Sequence, residues 1–151
     1  GFVPLCIVVG FALLGLSQWI SLKSLKKVDY SIFVLGGFYA VVMAVYVLFE
    51  IAVVNYRPIL INGCLEASYP SSTTVLAMCV MPTAMMQLNQ RLKCKLFKQC
   101  LSVIIIAFTT FMVVGRIISG VHWFTDIVGG GLLSAGLVMM YDSMMGEKNH
   151  E

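Results

Sequence analysis

The chain has 151 residues, of which 60% are hydrophobic and only 11% are charged, and its formal net charge is +3. Soluble domains carry about 25% charged residues, so this composition excludes an ordinary soluble domain and indicates an integral membrane protein. The basic residues lie in short loops and form no face lined with aromatic side chains, which argues against a nucleic-acid partner.

Five apolar stretches predict five membrane-spanning helices, which we interpret as an all-α transmembrane bundle forming a single domain over residues 1–151. A helix needs about 20 residues to cross the hydrocarbon core, with a lower limit near 17. The third and fourth stretches are shorter, so we expect those helices to extend into the flanking polar residues. The predicted stretches cover residues 2–22, 31–54, 73–88, 99–114 and 124–141.

The basic residues predict which loops face the cytoplasm. Cytoplasmic loops of membrane proteins carry an excess of lysine and arginine. The first loop, the third loop and the C-terminal tail carry most of these residues: Lys23, Lys26, Lys27, Arg91, Lys93, Lys95, Lys98 and Lys148. The second and fourth loops contain only Arg57 and Arg116, so we predict that these two loops face the extracytoplasmic side.

The second loop joins two well-marked helix boundaries. Arg57-Pro58 ends the second predicted helix, and the run from Pro70 to Thr73 begins the third. Proline is common at a helix start, where serine and threonine cap the exposed amides. Such a start also favours a bound anion, because its unpaired N–H groups and its dipole face outward. An ordinary N-cap after a loop is the alternative interpretation.

The fourth loop brings three ionisable residues together, since Arg116, His122 and Asp126 lie between two apolar runs. Ionisable residues beside a membrane span are costly and usually mark function. His122 and Asp126 are four residues apart, a spacing that puts them on one face of a helix. A carboxylate in that position can hold one tautomer of the histidine and stabilise the imidazolium formed during chemistry.

The two loops together predict a phosphate site. Two guanidinium groups and a helix N-terminus suit a phosphate, and a histidine backed by an aspartate suits attack on it. The pattern indicates phosphoryl transfer through a phosphohistidine, which is covalent catalysis. The sequence has no cluster with metal-ligand spacing, so we expect no metal and no other cofactor. The arginines would then neutralise the charge of the phosphate.

The residues above resemble the type 2 phosphatidic acid phosphatase superfamily of membrane lipid phosphatases. In outline, the family has the motifs Lys-x6-Arg-Pro, Pro-Ser-Gly-His and Ser-Arg-x5-His-x3-Asp. The third motif is present as Arg116, His122 and Asp126, with Gly115 at its serine position. The resemblance extends over about residues 31–142. The family core has six helices, so we expect this chain to lack the first.

The other two motifs are incomplete. Arg57-Pro58 matches the first motif, but Glu50 stands at its lysine position; Pro70-Ser71 matches the second, and Ser72-Thr73 then replaces Gly-His. In the family that histidine protonates the leaving group, which is worth about 10²- to 10⁴-fold in rate. Thr73 cannot do so near neutral pH. Glu50 would repel a phosphate unless it turns away or pairs with an arginine; the alternative is a snorkelling carboxylate at the outer boundary.

The resemblance implies a role for each matched residue. His122 would be the nucleophile, and Asp126 would orient it and stabilise its charge. The phosphoryl oxygens would be held by Arg57, Arg116, Ser71, Ser72 and Thr73.

A retained nucleophile beside a missing acid leaves two functions open. In the first, the protein is a phosphatase of a bacterial cytoplasmic membrane that acts on a lipid phosphate at the outer face. An isoprenoid diphosphate is favoured as the substrate, because its leaving group is a lipid monophosphate. That group leaves more readily than an alkoxide without an acid to protonate it. In the second, the protein is a weak or inactive family member that binds a lipid phosphate. A small transporter is less favoured, because transport proteins place their polar residues near the bilayer midplane.

Small residues form stripes on two predicted helices. Such stripes let helices approach closely, so we expect one of them to seat the helix bearing Asp126 against its neighbours. A homodimer interface is the alternative. The stripes consist of Gly36, Ala40 and Ala44, and of Gly129, Gly130, Gly131, Ser134 and Ala135.

Overall fold

The structure, a computed structural model, describes residues 2–22, 30–61 and 63–146. Its helices are α1 (Phe2–Leu22), α2 (Tyr30–Ile51), α3 (Ser72–Arg91), α4 (Lys95–Ser119) and α5 (Phe124–Gly146). The predicted all-α transmembrane bundle is confirmed. Part of the topology prediction rests on residues outside the described ranges, namely Lys23, Lys26, Lys27 and Lys148.

Three of the described helices, α2, α4 and α5, are long and apolar enough to cross a membrane, and the apolar segment Val3–Gln18 lies within α1. As expected, α3 and α4 extend into polar residues beyond the predicted stretches. The helix α2 ends at Ile51, three residues before the predicted end at position 54, and α5 runs on to Gly146. The prediction that Arg57-Pro58 ends α2 is therefore wrong, since both residues lie in the loop that follows.

The helix α3 occupies the centre of the bundle. It contacts α1, α2, α4 and α5, and it carries more buried residues than any other described helix. Its apolar side chains join one core cluster shared with α2 and α5. That cluster consists of Val34, Leu35, Phe38, Val42, Val75, Cys79 and Tyr141.

Polar contacts tie the same helices together at the end opposite the two predicted outward loops. Gln87 is fully buried in α3, and its Nε2 donates to the Ser31 carbonyl oxygen (3.2 Å) and to the Tyr141 hydroxyl (2.5 Å). Arg91 Nη2 donates to Ser31 Oγ at 2.9 Å. A polar group buried in a bilayer is costly without partners, so these contacts fix the register of α2, α3 and α5.

The two predicted small-residue stripes have different surroundings. Gly130 faces Val75 and Thr74 of α3, and an added Cβ there would lie 3.4 Å from the Val75 side chain. This stripe packs α5 against α3, as expected. The stripe on α2 is exposed within the chain, and an added Cβ at Gly36 would meet nothing within 4 Å. It therefore does not pack α2 inside this bundle.

The loop between α2 and α3 folds back on itself. Tyr56 and Ala67 form an isolated antiparallel bridge, and the Ser68 N–H donates to the Asn55 carbonyl oxygen at 3.0 Å. On the other side, α4 ends at Ser119, and its C-cap is Gly120, whose φ of 63° lies in the left-handed region that favours glycine. The chain turns there and delivers residues 121–123 to the folded loop.

Candidate active site

His122 lies in the short connection between α4 and α5 and is only 6% exposed. Its Nδ1 lies 3.1 Å from the Ser68 carbonyl oxygen and 3.2 Å from Ser68 Oγ. Both oxygens can accept a hydrogen bond, so they favour the tautomer that carries its proton on Nδ1. The other nitrogen, Nε2, is buried and has no hydrogen-bond partner among the described residues. It therefore presents a free lone pair.

Asp126 is fully buried in the first turn of α5. Its Oδ1 accepts from Asn55 Nδ2 at 2.8 Å, and its Oδ2 accepts from the Trp123 backbone N–H at 3.0 Å and from the Ser68 hydroxyl. A carboxylate in the third helical position often reaches back to the N-cap amide in this way. The positive end of the helix dipole also favours a negative charge there. Asp126 is thus held in one orientation from three sides.

His122 and Asp126 approach each other, but they do not form a direct hydrogen bond. The distance from His122 Nδ1 to Asp126 Oδ2 is 3.9 Å, beyond hydrogen-bonding range. The Ser68 hydroxyl contacts both atoms and lies between them. The two side chains lie close together, as expected, but they do not share a helical face, because His122 precedes the first residue of α5. The contact between them runs through a residue of the other loop.

Arg116 lies in the last turn of α4 and reaches the start of α3, where its Nη2 donates to Thr73 Oγ1.

Ser71 is the N-cap of α3 and makes no side-chain capping hydrogen bond. Its hydroxyl is fully buried and accepts from Thr74 Oγ1 at 3.1 Å. Its backbone N–H donates to the Asp126 carbonyl oxygen at 3.2 Å, which joins the starts of α3 and α5.

Arg57 lies in the folded loop and forms an ion pair with Glu66. The distance from Arg57 Nε to Glu66 Oε2 is 3.3 Å, and the two side chains are 18% and 43% exposed. Glu50, which stands at the lysine position of the first motif, is exposed near the end of α2. The carboxylate paired with this arginine is therefore Glu66.

The electrostatic surroundings keep His122 neutral. Burial, followed by the positive charges of Arg57 and Arg116, holds the pKa of His122 below its usual range. The Ser68 hydrogen bond and the Asp126 charge act in the opposite direction and are outweighed. A neutral imidazole with its proton on Nδ1 has a nucleophilic Nε2 at neutral pH.

Ser72, the first residue of α3, connects the polar site with an apolar cavity. The cavity has a volume of about 200 Å³ and lies among α1, α2 and α3. Its other lining residues are Leu5, Val42, Met43, Tyr46, Val75 and Leu76. Apolar space beside the start of α3 is suited to a ligand that carries a hydrocarbon chain.

Three residues of this site were missed by the sequence analysis, namely Asn55, Glu66 and Ser68. Asn55 and Ser68 reach Asp126 across 71 and 58 positions of the sequence, and Ser68 reaches His122 across 54. No helical or strand period extends over such separations. Only the folding of the loop onto itself brings these side chains to the fourth loop.

Comparison with known proteins identifies the family and the fold. The sequence profile of the PAP2 superfamily matches residues 37–149, which include both loops predicted to face outward. The structure is similar to the crystal structure described as the first transmembrane PAP2 type phosphatidylglycerolphosphate phosphatase from Bacillus subtilis. The TM-score is 0.65 at 19% identity, and the match covers 93% of this chain and 69% of that one. At this identity the likeness shows the fold alone. No curated protein sequence matches the chain.

Proposed function

Since the chain belongs to the PAP2 superfamily, we propose that it is an integral membrane phosphatase that cleaves a lipid phosphate through a phosphohistidine on His122. One observation carries this proposal: His122 Nε2 is buried without a hydrogen-bond partner in the described structure, while Nδ1 is held by Ser68. Arg57 and Arg116 are close enough to lower the pKa of this histidine. A neutral nucleophile flanked by two guanidinium groups is suited to attack on a phosphoryl group.

The proposed reaction has two steps. In the first, the lone pair of His122 Nε2 attacks phosphorus, and the bond between phosphorus and the leaving oxygen breaks with its electrons going to that oxygen. In the second, a water oxygen attacks the same phosphorus and the P–N bond breaks, which releases inorganic phosphate and restores the lone pair. The phosphorylated imidazole carries a positive charge on the ring, which the Asp126 carboxylate stabilises.

The phosphoryl oxygens would be held by charge and by backbone amides. Arg57 and Arg116 supply two guanidinium groups, and the hydrogen bond from Arg116 to Thr73 fixes one of them at the start of α3. Because Ser71 makes no side-chain cap, the first-turn N–H groups of α3 remain suited to an anion. We expect Ser72, which is partly exposed, to contribute more than the fully buried Ser71 hydroxyl.

Thr73 directs the proposal towards a substrate with a good leaving group. Its hydroxyl accepts the hydrogen bond from Arg116 and is not acidic near neutral pH. When the terminal phosphorus of a lipid diphosphate is attacked, the leaving group is a lipid monophosphate. This group needs less protonation than the alkoxide that leaves from a lipid monophosphate substrate. The apolar cavity beside Ser72 supports a substrate with a hydrocarbon chain. We therefore propose an isoprenoid diphosphate as the substrate class, cleaved at the outer face of a bacterial cytoplasmic membrane.

The substrate proposal is tested by phosphate release from purified protein in detergent. The panel should contain an isoprenoid diphosphate, phosphatidic acid and phosphatidylglycerol phosphate at matched micelle concentrations. We expect the diphosphate to be cleaved at least 10-fold faster, since missing acid catalysis slows alkoxide departure by about 10²- to 10⁴-fold. Equal rates on all three lipids would contradict the preference.

The nucleophile is tested by replacing His122 with alanine. We expect phosphate release to fall by about 10³-fold or more, as when the nucleophile of a catalytic triad is removed. A ³²P-labelled, acid-labile protein adduct should form in the wild type and be absent from the variant. His150→Ala, which removes the other histidine of the chain, serves as the matched control. Unchanged release by His122→Ala would place the activity elsewhere.

The second function, a weak or inactive binder of lipid phosphate, draws on one observation. Glu66 already pairs with Arg57, so an incoming phosphate must compete with a carboxylate for this arginine. Wild-type protein that binds the diphosphate lipid but forms no phosphoenzyme and releases no phosphate would favour this function.

A further inference from the structure

Ser68 makes more contacts with His122 and Asp126 than the proposed chemistry by itself requires. Its side chain is buried, with 1% of the residue exposed, and its hydroxyl contacts Asp126 Oδ2 as well as His122 Nδ1. Its carbonyl oxygen contacts the same Nδ1 at 3.1 Å, and its backbone N–H donates to the Asn55 carbonyl oxygen at 3.0 Å. Both the side chain and the backbone of one loop residue therefore face the histidine.

We propose that Ser68 is a positioning residue whose hydroxyl couples the Asp126 carboxylate to the His122 imidazole. This inference rests on the proposed function in that it takes His122 as the nucleophile. A serine hydroxyl has one hydrogen to donate and two lone pairs to accept with. It donates that hydrogen to Asp126 Oδ2 and accepts the Nδ1 hydrogen of His122 at 3.2 Å.

The direct route from Asp126 to His122 is too long to replace this contact. The two side chains are 3.9 Å apart, so the carboxylate would have to move by about 1 Å to reach hydrogen-bonding distance. Asn55 Nδ2 holds one carboxylate oxygen at 2.8 Å, and the Trp123 backbone N–H holds the other at 3.0 Å. Those two bonds keep Asp126 in place after the serine hydroxyl is removed.

The charges around His122 make this coupling important for turnover. Arg57 and Arg116 both disfavour a positive charge on the imidazole, and the Ser68 backbone hydrogen bond and the Asp126 charge oppose them. The ring becomes positively charged when Nε2 is phosphorylated. A hydroxyl bonded to both groups transmits the stabilising effect of the carboxylate to the ring nitrogen, because hydrogen bonds in a chain polarise one another.

The first test compares kcat and KM for isoprenoid diphosphate in variants of the full chain. Ser68→Ala should lower kcat by about 10- to 100-fold, the loss typical when a group that orients a functional histidine is removed. KM should stay within about 2-fold of the wild type, because the hydroxyl faces His122 and Asp126 rather than the phosphate site. Ser134→Ala is the matched control, since it removes a buried hydroxyl that donates to the Gly130 carbonyl oxygen within α5.

A double-mutant cycle then measures the coupling itself. Asp126→Asn alone should lower kcat by about 10²- to 10⁴-fold, as when the aspartate of a catalytic triad is replaced. In the Ser68→Ala background, the fold decrease in kcat caused by Asp126→Asn should be at least 5 times smaller. The reason is that the contact that carries the effect of Asp126 has already been removed. Independent losses, in which the double variant shows the product of the two single effects, would overturn the proposal.

A second readout does not depend on turnover. Titration of ¹⁵N-histidine-labelled protein by NMR gives the pKa of His122, with His150 resolved by His150→Ala. Ser68→Ala should lower this pKa below the wild-type value, because the imidazolium loses an acceptor polarised by Asp126. Ser134→Ala should leave it unchanged. An unchanged pKa of His122 in Ser68→Ala would overturn the inference about Ser68. If the pKa shifts but the wild-type protein releases no phosphate, only the proposed function is contradicted.

Discussion

The position of one proton determines what His122 can do. Ser68 accepts a hydrogen bond from Nδ1 with both its hydroxyl and its carbonyl oxygen, so Nε2 keeps its lone pair. Local spacing was sufficient to predict that His122 and Asp126 lie close together. It could not predict Ser68, because this serine reaches the histidine from 54 positions away through a folded loop. The sequence therefore identifies His122 and Asp126 and misses the neutral residue between them.

The lowered pKa of His122 predicts how the activity depends on pH. Because burial and the two arginines disfavour the imidazolium, the histidine should lose its proton below its usual pKa of about 6.5. The nucleophile is the unprotonated form, so kcat/KM should rise with pH through an acidic limb centred below that value and stay level up to neutrality.

Substitution of Arg57 tests whether its positive charge sets the midpoint of the acidic limb of the pH profile. Arg57→Gln removes a positive charge that disfavours the imidazolium, so the midpoint should move to higher pH even though activity falls. Lys98→Gln, at the opposite end of the bundle in the first turn of α4, is the charge-matched control and should leave the midpoint in place. A midpoint that stays the same in Arg57→Gln would show that this arginine does not act on His122.

Between elements, the close approach of α5 to the second loop keeps the site together. Gly129 lies against the ring of Tyr69, and an added Cβ would lie 2.6 Å from its hydroxyl. Phe49 of α2 packs on the same ring, with the ring centroids 5.5 Å apart. The sequence pattern predicted close packing along this face of α5. It could not show that Gly129 faces a loop tyrosine while Gly130 faces α3, because both glycines belong to one stripe.

Replacing Gly129 with alanine should therefore disturb the site more than the helix. The methyl group must displace the Tyr69 ring next to Ser68, and such overpacking costs about 1–3 kcal/mol. We expect a lower unfolding temperature in detergent and a lower kcat. Gly136→Ala on the same helix, where an added Cβ meets nothing within 4 Å, should keep kcat and gain up to about 1 kcal/mol of helix stability. Equal behaviour of the two variants would contradict the close approach.

At the scale of the whole molecule, the bundle has two different polar ends. The candidate active site lies at the end formed by the α2–α3 and α4–α5 connections, and the Gln87 contacts lie at the other. Apolar length and loop composition were enough to predict five helices and their order. Which helix is central could not be predicted, since burial of α3 depends on its four neighbours rather than on its own sequence.

Native cysteines offer a direct test of the predicted orientation. Cys64 is exposed in the α2–α3 loop, and Cys94 is exposed as the N-cap of α4 at the opposite end. Two variants, each keeping one of these thiols as its only cysteine, should be treated in intact cells with a membrane-impermeant maleimide. We expect labelling of Cys64 in intact cells and of Cys94 only after permeabilisation. The reverse pattern would place the site on the cytoplasmic side.

The central position of α3 has a consequence for how the chain enters the membrane. Its buried face includes Thr73, which accepts a hydrogen bond from Arg116 of α4. It also includes Gln87, which donates to Ser31 of α2 and Tyr141 of α5, so both side chains find these partners only when the surrounding helices are present. Polar side chains raise the free energy of inserting an isolated helix into lipid. We therefore expect α3 to be retained at the translocon until α4 and α5 have been synthesised, so that the last three helices partition into the bilayer as one unit.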